Sequence, residues 1–391
     1  MMTARLLASG PGATNGHTAA EMVARKISQL AISRRDLARG MAAQAGQEVP
    51  EAVERFFAAV AKGDWPTADR LFQQLLALHS AEPPSPALEA VWQAMRELYY
   101  TAEEASHWPA QKLLDYGSAV LGSLKPGTVY VGGTDPGRWI PTLLNETGPG
   151  ERHMVITQNA LADSSYIDYL RFQYGSDLAG IAPDDVKKGF DDYLADASKR
   201  YLHDQEFPDE PRQMRPGESI RMVNGKAEAS GQVAVMAINE LIFQGLMQKN
   251  PQLSFAVEES FPFRSTYADA KPAGIVMELG RPGDGAGFSS ELATESVGYW
   301  RNVSTELSKE LDMEGAEYAR KTYSHDASSQ ANLLAAHNYF AEAEETYRLA
   351  IQMWPDNPES VYGLADLMSR TGRREEGLRL ADEFARNHGG H

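Results

Sequence analysis

Thr-Val-Tyr-Val-Gly-Gly-Thr-Asp-Pro, residues 128–136, is the stretch that decides the fold of this chain. Its β-branched and aromatic residues predict a short buried strand, two glycines close the strand, and Asp135-Pro136 is typical of a helix start. The pattern repeats at once, because residues 153–157 predict a second buried strand and residues 164–174 predict a second helix. Two strand-helix units in tandem imply parallel strands joined by right-handed crossovers.

A third unit follows further along the chain. Residues 233–249 predict a helix with a broad apolar face, and residues 253–257 and 274–279 predict two more strands. We therefore expect an α/β Rossmann-like core with a parallel sheet over residues 126–282.

The segment before this core is predicted to be helical. Residues 1–50 are interpreted as a disordered leader followed by one helix. Residues 51–125 are interpreted as a helical hairpin region, because apolar residues at helical spacing occur on both sides of Gly63-Asp64. Further helices are expected over residues 88–100 and 109–124.

The C-terminal segment shows an internal period of about 34 residues, the length of a tetratricopeptide repeat. The matching positions are Ala331, Asn338, Ala343, Tyr347 and Ala350 in the first copy, and Ala365, Gly372, Gly377, Ala381 and Phe384 in the second. After a connecting helix within residues 283–323, we predict two tetratricopeptide-type helical hairpins, 324–357 and 358–391. The spacing of Gly63, Ala68 and Phe72 is interpreted either as a degenerate third copy or as a chance match.

Composition excludes several classes of function. The 391 residues are 42% hydrophobic and 23% charged, and 37 basic against 54 acidic residues leave a formal net charge of −17. Such a charge repels a phosphate backbone, so neither a nucleic acid nor an anionic membrane is expected as a partner. The absence of cysteine excludes disulfides and thiol catalysis. No apolar run is long enough for a membrane span, and the N-terminal stretch is too polar for a signal peptide.

Ligands of a doubly wound sheet lie beyond the carboxyl ends of its strands, so polar residues after each predicted strand are the candidate ligand-binding residues. They are Gly132, Gly133, Asp135 and Arg138 after the first strand, Asn159 and Asp163 after the second, and Glu258 after the third. The three carboxylates could hold a hard cation or divide acid and base roles. The glycine amides would admit a ligand oxygen, and Arg138 would pair with an anionic group.

The two aspartates also have a purely structural interpretation. Asp135 and Asp163 precede predicted helices and are typical N-caps. The glycine segment has neither the GxGxxG spacing nor the lysine-containing ending of a phosphate loop, and no zinc-hydrolase or nucleophile-elbow motif occurs. No cofactor is predicted, although a divalent cation fits the carboxylates. The aromatic residues Phe261, Phe263, Tyr267 and Trp139 are interpreted either as a platform for a sugar ring or as core.

Two pairs of segments carry a family resemblance. Residues 129–141 and 155–170, with Gly-Gly-Thr-Asp-Pro in the first and Tyr-Ile-Asp in the second, resemble the soluble extracytoplasmic domain of protein O-mannosyltransferase-like membrane glycosyltransferases of the GT-C type. Residues 250–257 and 272–277 look like the later strand pair of that domain. The resemblance covers about 125–282.

The resemblance implies a relative of an accessory domain and not a transferase. In that family the transfer chemistry resides in the membrane-embedded part, which has no counterpart here, so no catalytic residue can be carried over. The resemblance favours an extracytoplasmic location and a glycan or protein acceptor as partner.

We therefore expect a non-catalytic protein- or glycan-binding or assembly protein that meets its partner through helical repeats. One alternative is a metal-assisted hydrolase or sugar-modifying enzyme built on Asp135, Asp163 and Glu258. Another is a structural subunit that assembles with copies of itself.

Overall fold

The computed structural model describes residues 18–81, 85–259, 264–281, 287–309 and 315–388. About 70% of the chain is helical, and a small sheet of parallel and antiparallel strands lies among the helices. Most of the leader predicted at the N-terminus lies outside the described residues. Phe261 and Phe263 of the predicted sugar platform also lie outside them.

Fourteen α-helices occur in the described residues. They are α1 Ala19–Gln44, α2 Glu51–Ala61, α3 Trp65–His79, α4 Pro86–His107, α5 Ala110–Gly122, α6 Asp135–Thr147, α7 Ser164–Tyr174, α8 Pro183–Glu206, α9 Gln232–Lys249, α10 Ser290–Ser308, α11 Ala316–Ala336, α12 Phe340–Met353, α13 Pro358–Arg370 and α14 Arg374–His388.

Seven strands form two sheets. They are β1 Thr128–Gly132, β2 Met154–Thr157, β3 Ser219–Val223, β4 Lys226–Ser230, β5 Ser254–Val257, β6 Ala270–Ala273 and β7 Val276–Leu279. The larger sheet has the order β2-β1-β5-β7-β6. β1 lies at the centre of its parallel half, where Val131 is paired with Ile156 of β2 and with Val257 of β5. Buried β-branched residues make β1 a strand that is covered on both faces.

The expectation of a parallel sheet is correct for β2, β1 and β5 only. β7 runs antiparallel to β5, and β6 runs antiparallel to β7. The antiparallel direction of β6 and β7 follows from the tight turn at Gly274-Ile275, where Gly274 has a φ of 60°. A two-residue connection reverses the chain, so the strands that it joins must be antiparallel.

A second hairpin, β3-β4, was not anticipated. Its five residue pairs surround the turn Asn224-Gly225, whose φ angles are 52° and 78°. Asn-Gly between extended segments is the usual signal for such a turn. The flanking strands are short and polar, which is why a search for apolar runs passes over them.

The N-terminal helices pack directly on the core. Thr18 and Glu21 form a capping box that starts α1, and the buried Arg34 of α1 pairs with Glu97 of α4 and with Glu146 of α6. One continuous hydrophobic core extends from Val23 to Met368.

The 34-residue period of the sequence has a backbone counterpart. Asn338 and Gly372 both have left-handed φ angles, 64° and 86°, between the members of the helix pairs α11-α12 and α13-α14. Gly63, between α2 and α3, has a φ of 73°. In all three pairs a small buried residue follows five positions later, at Ala68, Ala343 and Gly377.

The C-terminal helices are joined to the sheet by a buried glutamine of α11. Gln330 donates to the carbonyls of Gly274 and Val276 at 2.7 and 3.2 Å. Its side-chain oxygen accepts from Ser296 at 2.7 Å and from the indole of Trp300 at 3.1 Å. All hydrogen-bonding atoms of this amide therefore connect α10, α11 and the β6-β7 turn.

Candidate functional site at the carboxyl edge of the sheet

The crevice between the carboxyl ends of β1 and β5 is occupied by Glu258 of the chain itself. Its carboxylate accepts the backbone amide of Gly133 at 2.8 Å and that of Thr134 at 3.0 Å. The hydroxyl of Thr134 donates to the other carboxylate oxygen. Glu258 is only 1% exposed. The backbone amides that were expected to donate hydrogen bonds to a ligand oxygen therefore donate them to this glutamate.

The glycines of the β1-α6 turn make room for this arrangement. A Cβ atom at Gly137 would overlap the carboxyl group of Glu258, and one at Gly132 would lie 2.7 Å from the carbonyl oxygen of Gly137. A Cβ atom at Gly133 would overlap the side chain of Glu259. Gly132 and Gly133 therefore serve close packing at the sheet edge.

The two predicted aspartates take separate positions. Thr134, not Asp135, caps α6, since its side chain accepts the Gly137 amide; Asp135 is the first helical residue and is exposed. Asp163 caps α7 by accepting the Ser165 amide at 2.9 Å, as its structural interpretation predicts. Glu258 and Asp163 thus accept hydrogen bonds from different parts of the chain, and within the described residues the three predicted carboxylates form no group that could hold a metal ion.

Asn159 stabilises the same turn from the β2 side. Its amide group donates to the carbonyl of Gly133 at 2.7 Å, while the residue as a whole is exposed. Asn159 therefore has a structural contact and keeps solvent access.

A different carboxyl cluster is present, formed by Glu258, Glu259 and Asp326. Asp326 of α11 is 1% exposed, and neither of its carboxyl oxygens has a hydrogen-bond partner within 3.5 Å, although Tyr116 and Glu258 lie close enough to affect its pKa. Burial first, and then the charges of Glu258 and Glu259, raise the pKa of Asp326 well above its ordinary value. Burial and Glu258 also raise the pKa of Glu259. Two members of the cluster thus favour their protonated forms.

Tyrosines enclose this carboxyl cluster. The hydroxyl of Tyr116 lies 3.5 Å from a carboxyl oxygen of Glu258, and that of Tyr130 donates to the Gly137 carbonyl at 2.7 Å. Burial raises the pKa of both phenols, with further contributions from Asp326 and Glu258. Side chains that can donate protons therefore surround a hydrogen-bonded carboxylate. Among the described residues, no group of three acidic or histidine side chains has an arrangement that could hold a metal ion.

Arg138 lies on the other side of the edge, toward β2. Its guanidinium carbon is 3.8 Å from the ring centroid of Trp139 and 5.2 Å from that of Tyr166. Trp139 is 3% exposed, so it is a core residue and not a sugar platform. In the described part of the chain, no acceptor lies within hydrogen-bond or ion-pair distance of this guanidinium.

A second concave region is away from the sheet edge. It is a cleft of about 910 Å³ between α1, α4, α7 and the loop 175–182. Its lining includes Gln44, Ala90, Ser165, Asp168, Arg171, Phe172, Asp185 and Lys249. Arg171 pairs with Asp168 at 2.8 Å, and Lys249 pairs with Asp185. The cleft thus combines a partly apolar wall with paired charges.

Sequence reasoning missed Asp326, although a signal was available. Ala319, Tyr323, Asp326 and Gln330 follow one another at spacings of three and four, so Asp326 occupies a core position of α11. A carboxyl at such a position is rarely buried without a purpose or a partner.

Comparisons with known proteins yield no relative: no family model, no curated protein and no solved structure matches this sequence significantly. Within the described residues, no helix has the length and apolarity of a membrane span.

Proposed function

We propose that this chain is a non-catalytic binding or assembly protein, and that its partner, a protein segment or a glycan, occupies the cleft between α1, α4 and α7. The observation that carries the proposal is the position of Glu258. A doubly wound sheet binds its ligand in the crevice between diverging strands, and here the chain's own carboxylate fills the corresponding place between β1 and β5.

The lining of the cleft favours a protein segment over a sugar. Met41, Ala90 and Phe172 offer apolar contacts, and the lining also includes two ion pairs. A mixture of apolar contacts with charged groups at the rim is the usual composition of protein interfaces.

The helix pairs α11-α12 and α13-α14 are interpreted as tetratricopeptide-type repeats, and the α/β part as a Rossmann-like relative of a glycosyltransferase accessory domain. The left-handed residues at equivalent positions support the first interpretation. The parallel order β2-β1-β5 supports the second. Because Gln330 joins the repeats to the sheet, they act as a rigid support for the binding surface.

Site-specific photo-crosslinking in an extract of the source cells tests the cleft. A benzophenone side chain at Gln44, an exposed residue of the lining, should give a discrete protein adduct. Ala90→Arg, which places a bulky cation in the cleft, should abolish that adduct. The same probe at the exposed Tyr362 of α13 is the matched control and should give none.

Equal labelling from both probe positions would contradict the proposal, as would an adduct that persists in Ala90→Arg. An adduct containing only carbohydrate would instead assign the cleft to a glycan. Circular dichroism of each variant verifies that the fold is intact.

One observation favours a second candidate, an acid-base enzyme acting on sugars or esters. Glu258 accepts four hydrogen bonds, whereas the carboxyl oxygens of Asp326 have no partner within 3.5 Å and its pKa is raised. Carboxyl groups in contrasting environments are typical of acid-base pairs. A screen of glycoside and ester substrates should then show turnover that Asp326→Asn abolishes while the fold persists. Turnover unaffected by this change would exclude the cluster as its source.

A further inference from the structure

Two arginines of the described chain are buried, and only one of them has an anionic partner. Arg34, 2% exposed, contacts Glu97 and Glu146. Arg138, 8% exposed, has no carboxylate within ion-pair distance in the described residues, although the chain has 54 acidic residues. Burial of an unpaired charge is costly, so such groups are normally paired.

The guanidinium of Arg138 can be reached from outside. Some polar atoms of the chain are fully enclosed and have no hydrogen-bond partner. They include one nitrogen of Arg34 but no nitrogen of Arg138. The accessible part of Arg138 therefore includes its charged end. One face of the guanidinium is covered by the ring of Trp139, with the ring of Tyr166 further away.

A second arginine lies on the same aromatic cluster. The guanidinium of Arg96 in α4 is 5.9 Å from the ring centroid of Tyr100, and Tyr100 stacks on Trp139 with centroids 5.9 Å apart. Burial raises the pKa of the Tyr166 phenol to about 12, and the charges of Arg138 and Arg96 offset part of that rise. Arg96 likewise has no anionic partner in the part of the chain that the structure describes. Two cations without an anionic partner thus contact the stacked Tyr100–Trp139 pair, Arg96 on Tyr100 and Arg138 on Trp139.

This arrangement stands where anions bind in open α/β sheets. Arg138 belongs to the first turns of α6, which follows β1, and Tyr166 belongs to the first turn of α7, which follows β2. The positive ends of two helices therefore point toward the carboxyl edge of neighbouring parallel strands. Glu258 fills the β1-β5 side of this edge, but the β1-β2 side keeps its cations.

We propose that Arg138, assisted by Arg96, is a binding site for a compact oxyanion, the carboxylate or phosphate group of a ligand. The planar guanidinium matches either group with two parallel hydrogen bonds. This site goes beyond the proposed function, because it is separate from the cleft and predicts a ligand of defined charge.

Calorimetric titration of the full chain with inorganic phosphate, and separately with citrate, tests the site at low ionic strength. At least one oxyanion should bind, and added sodium chloride should weaken it. Arg138→Gln should reduce the affinity about tenfold or more, as expected for loss of a charge-assisted hydrogen bond. The oxyanion that binds more tightly identifies the group as a phosphate or a carboxylate.

Two further variants keep the test decisive. Arg379→Gln makes the same charge change at an exposed arginine of α14 and should leave the affinity unchanged. Arg96→Gln, at a half-buried position, should weaken binding without removing the central cation, which covers the case that Arg138→Gln does not fold. Absence of binding to either oxyanion overturns the proposal. Equal weakening by Arg379→Gln, or unchanged affinity in both site variants, also overturns it.

Discussion

At the scale of single residues, Glu258 decides what the sheet edge can do. Its carboxylate takes the backbone amides of Gly133 and Thr134, which would otherwise attract an external anion. Gly137 permits this contact, because any side chain there would overlap the carboxyl group. In the sequence this glycine looks like part of a ligand-binding loop, but in the structure it makes room for the side chain of Glu258.

Gly137→Ala is therefore expected to destabilise the protein by about 1–3 kcal/mol through overpacking. Gly298→Ala in α10 is the matched control, because a Cβ atom there meets nothing within 4 Å. That control should stabilise the protein by up to about 1 kcal/mol through helix propensity. Urea unfolding of both variants measures the difference, and equal effects would show that Glu258 does not need the space at Gly137.

The carboxyl cluster predicts how stability depends on pH. Burial and Glu258 raise the pKa of Glu259 from 4.5 to about 9, and the pKa of Asp326 is also raised. The folded state then binds more protons than the unfolded state between these values. The stabilising contribution of these two groups to the free energy of unfolding is therefore complete below about pH 4.5. It should fall as the pH rises toward 9.

Glu259→Gln and Asp326→Asn should each flatten this decline in unfolding experiments across the pH range. Glu344→Gln is the control of the same chemistry. A hydrogen bond from Arg373 lowers the pKa of Glu344 to about 2, so its contribution is lost only in acid. Its removal should leave the slope above pH 5 unchanged. A wild-type slope that neither cluster variant alters would rule out the cluster as the cause.

At the scale of elements, Asn357 shows how the C-terminal helices are joined. Its side-chain oxygen accepts the amides of Glu359 and Ser360 at 3.0 and 3.3 Å and so caps α13. Its side-chain nitrogen donates to the hydroxyls of Ser324 and Ser328 in α11 at 2.8 and 3.1 Å. One buried amide both starts a helix and connects it to another.

Asn357→Ala should destabilise the protein more than the removal of an ordinary helix cap does. Loss of the cap removes about 0.5–2 kcal/mol, and the lost hydrogen bonds to the buried hydroxyls of Ser324 and Ser328 add about 0.5–1.5 kcal/mol each. Asp64 is an exposed cap of α3 and accepts only the Thr67 amide, at 3.3 Å. Asp64→Ala should therefore show only the loss of stability that comes from removing a cap. Thermal unfolding distinguishes the two variants, and similar losses would mean that the contacts with α11 add nothing.

Elements were predictable where apolar periodicity is strong. The helix over 164–174 is found with the expected bounds, and those over 233–249 and 109–124 differ by one or two residues at an end. The hairpin β3-β4 was missed, because its strands bury little surface and only Asn224-Gly225 announces it. The antiparallel direction of β6 and β7 depends on the turn at Gly274-Ile275, which apolar patterns do not encode.

At the scale of the whole molecule, the helical and sheet regions share one hydrophobic core. Gln330 connects its C-terminal part through four hydrogen bonds to α10 and the β6-β7 turn. We therefore expect wild-type protein to unfold in urea in a single transition, seen alike by tryptophan fluorescence and circular dichroism.

Gln330→Met keeps a similar side-chain length but leaves four buried polar groups without their partner. Each unsatisfied group costs about 1–3 kcal/mol, so the C-terminal helices should unfold at lower urea than the sheet, or the whole chain should lose stability by several kcal/mol. Glu345→Gln, at an exposed ion pair with Arg301, is the control and should change stability by at most about 1 kcal/mol. Unchanged unfolding of Gln330→Met would show that the helices are held to the sheet by apolar contacts alone.

By itself, the sequence determined the positions of most helices, the parallel strands β1, β2 and β5, and the 34-residue period, because these depend on local apolar spacing and turn chemistry. Only the tertiary structure decided which polar groups meet. Glu258 and Asp326 are 68 positions apart in the chain, and Arg96 and Arg138 come from different helices. Their proximity follows from helix packing around the sheet, which long-range burial of apolar surface controls. For that reason the predicted carboxylates separated, while an unforeseen carboxyl cluster and an unpaired arginine came to define the sheet edge.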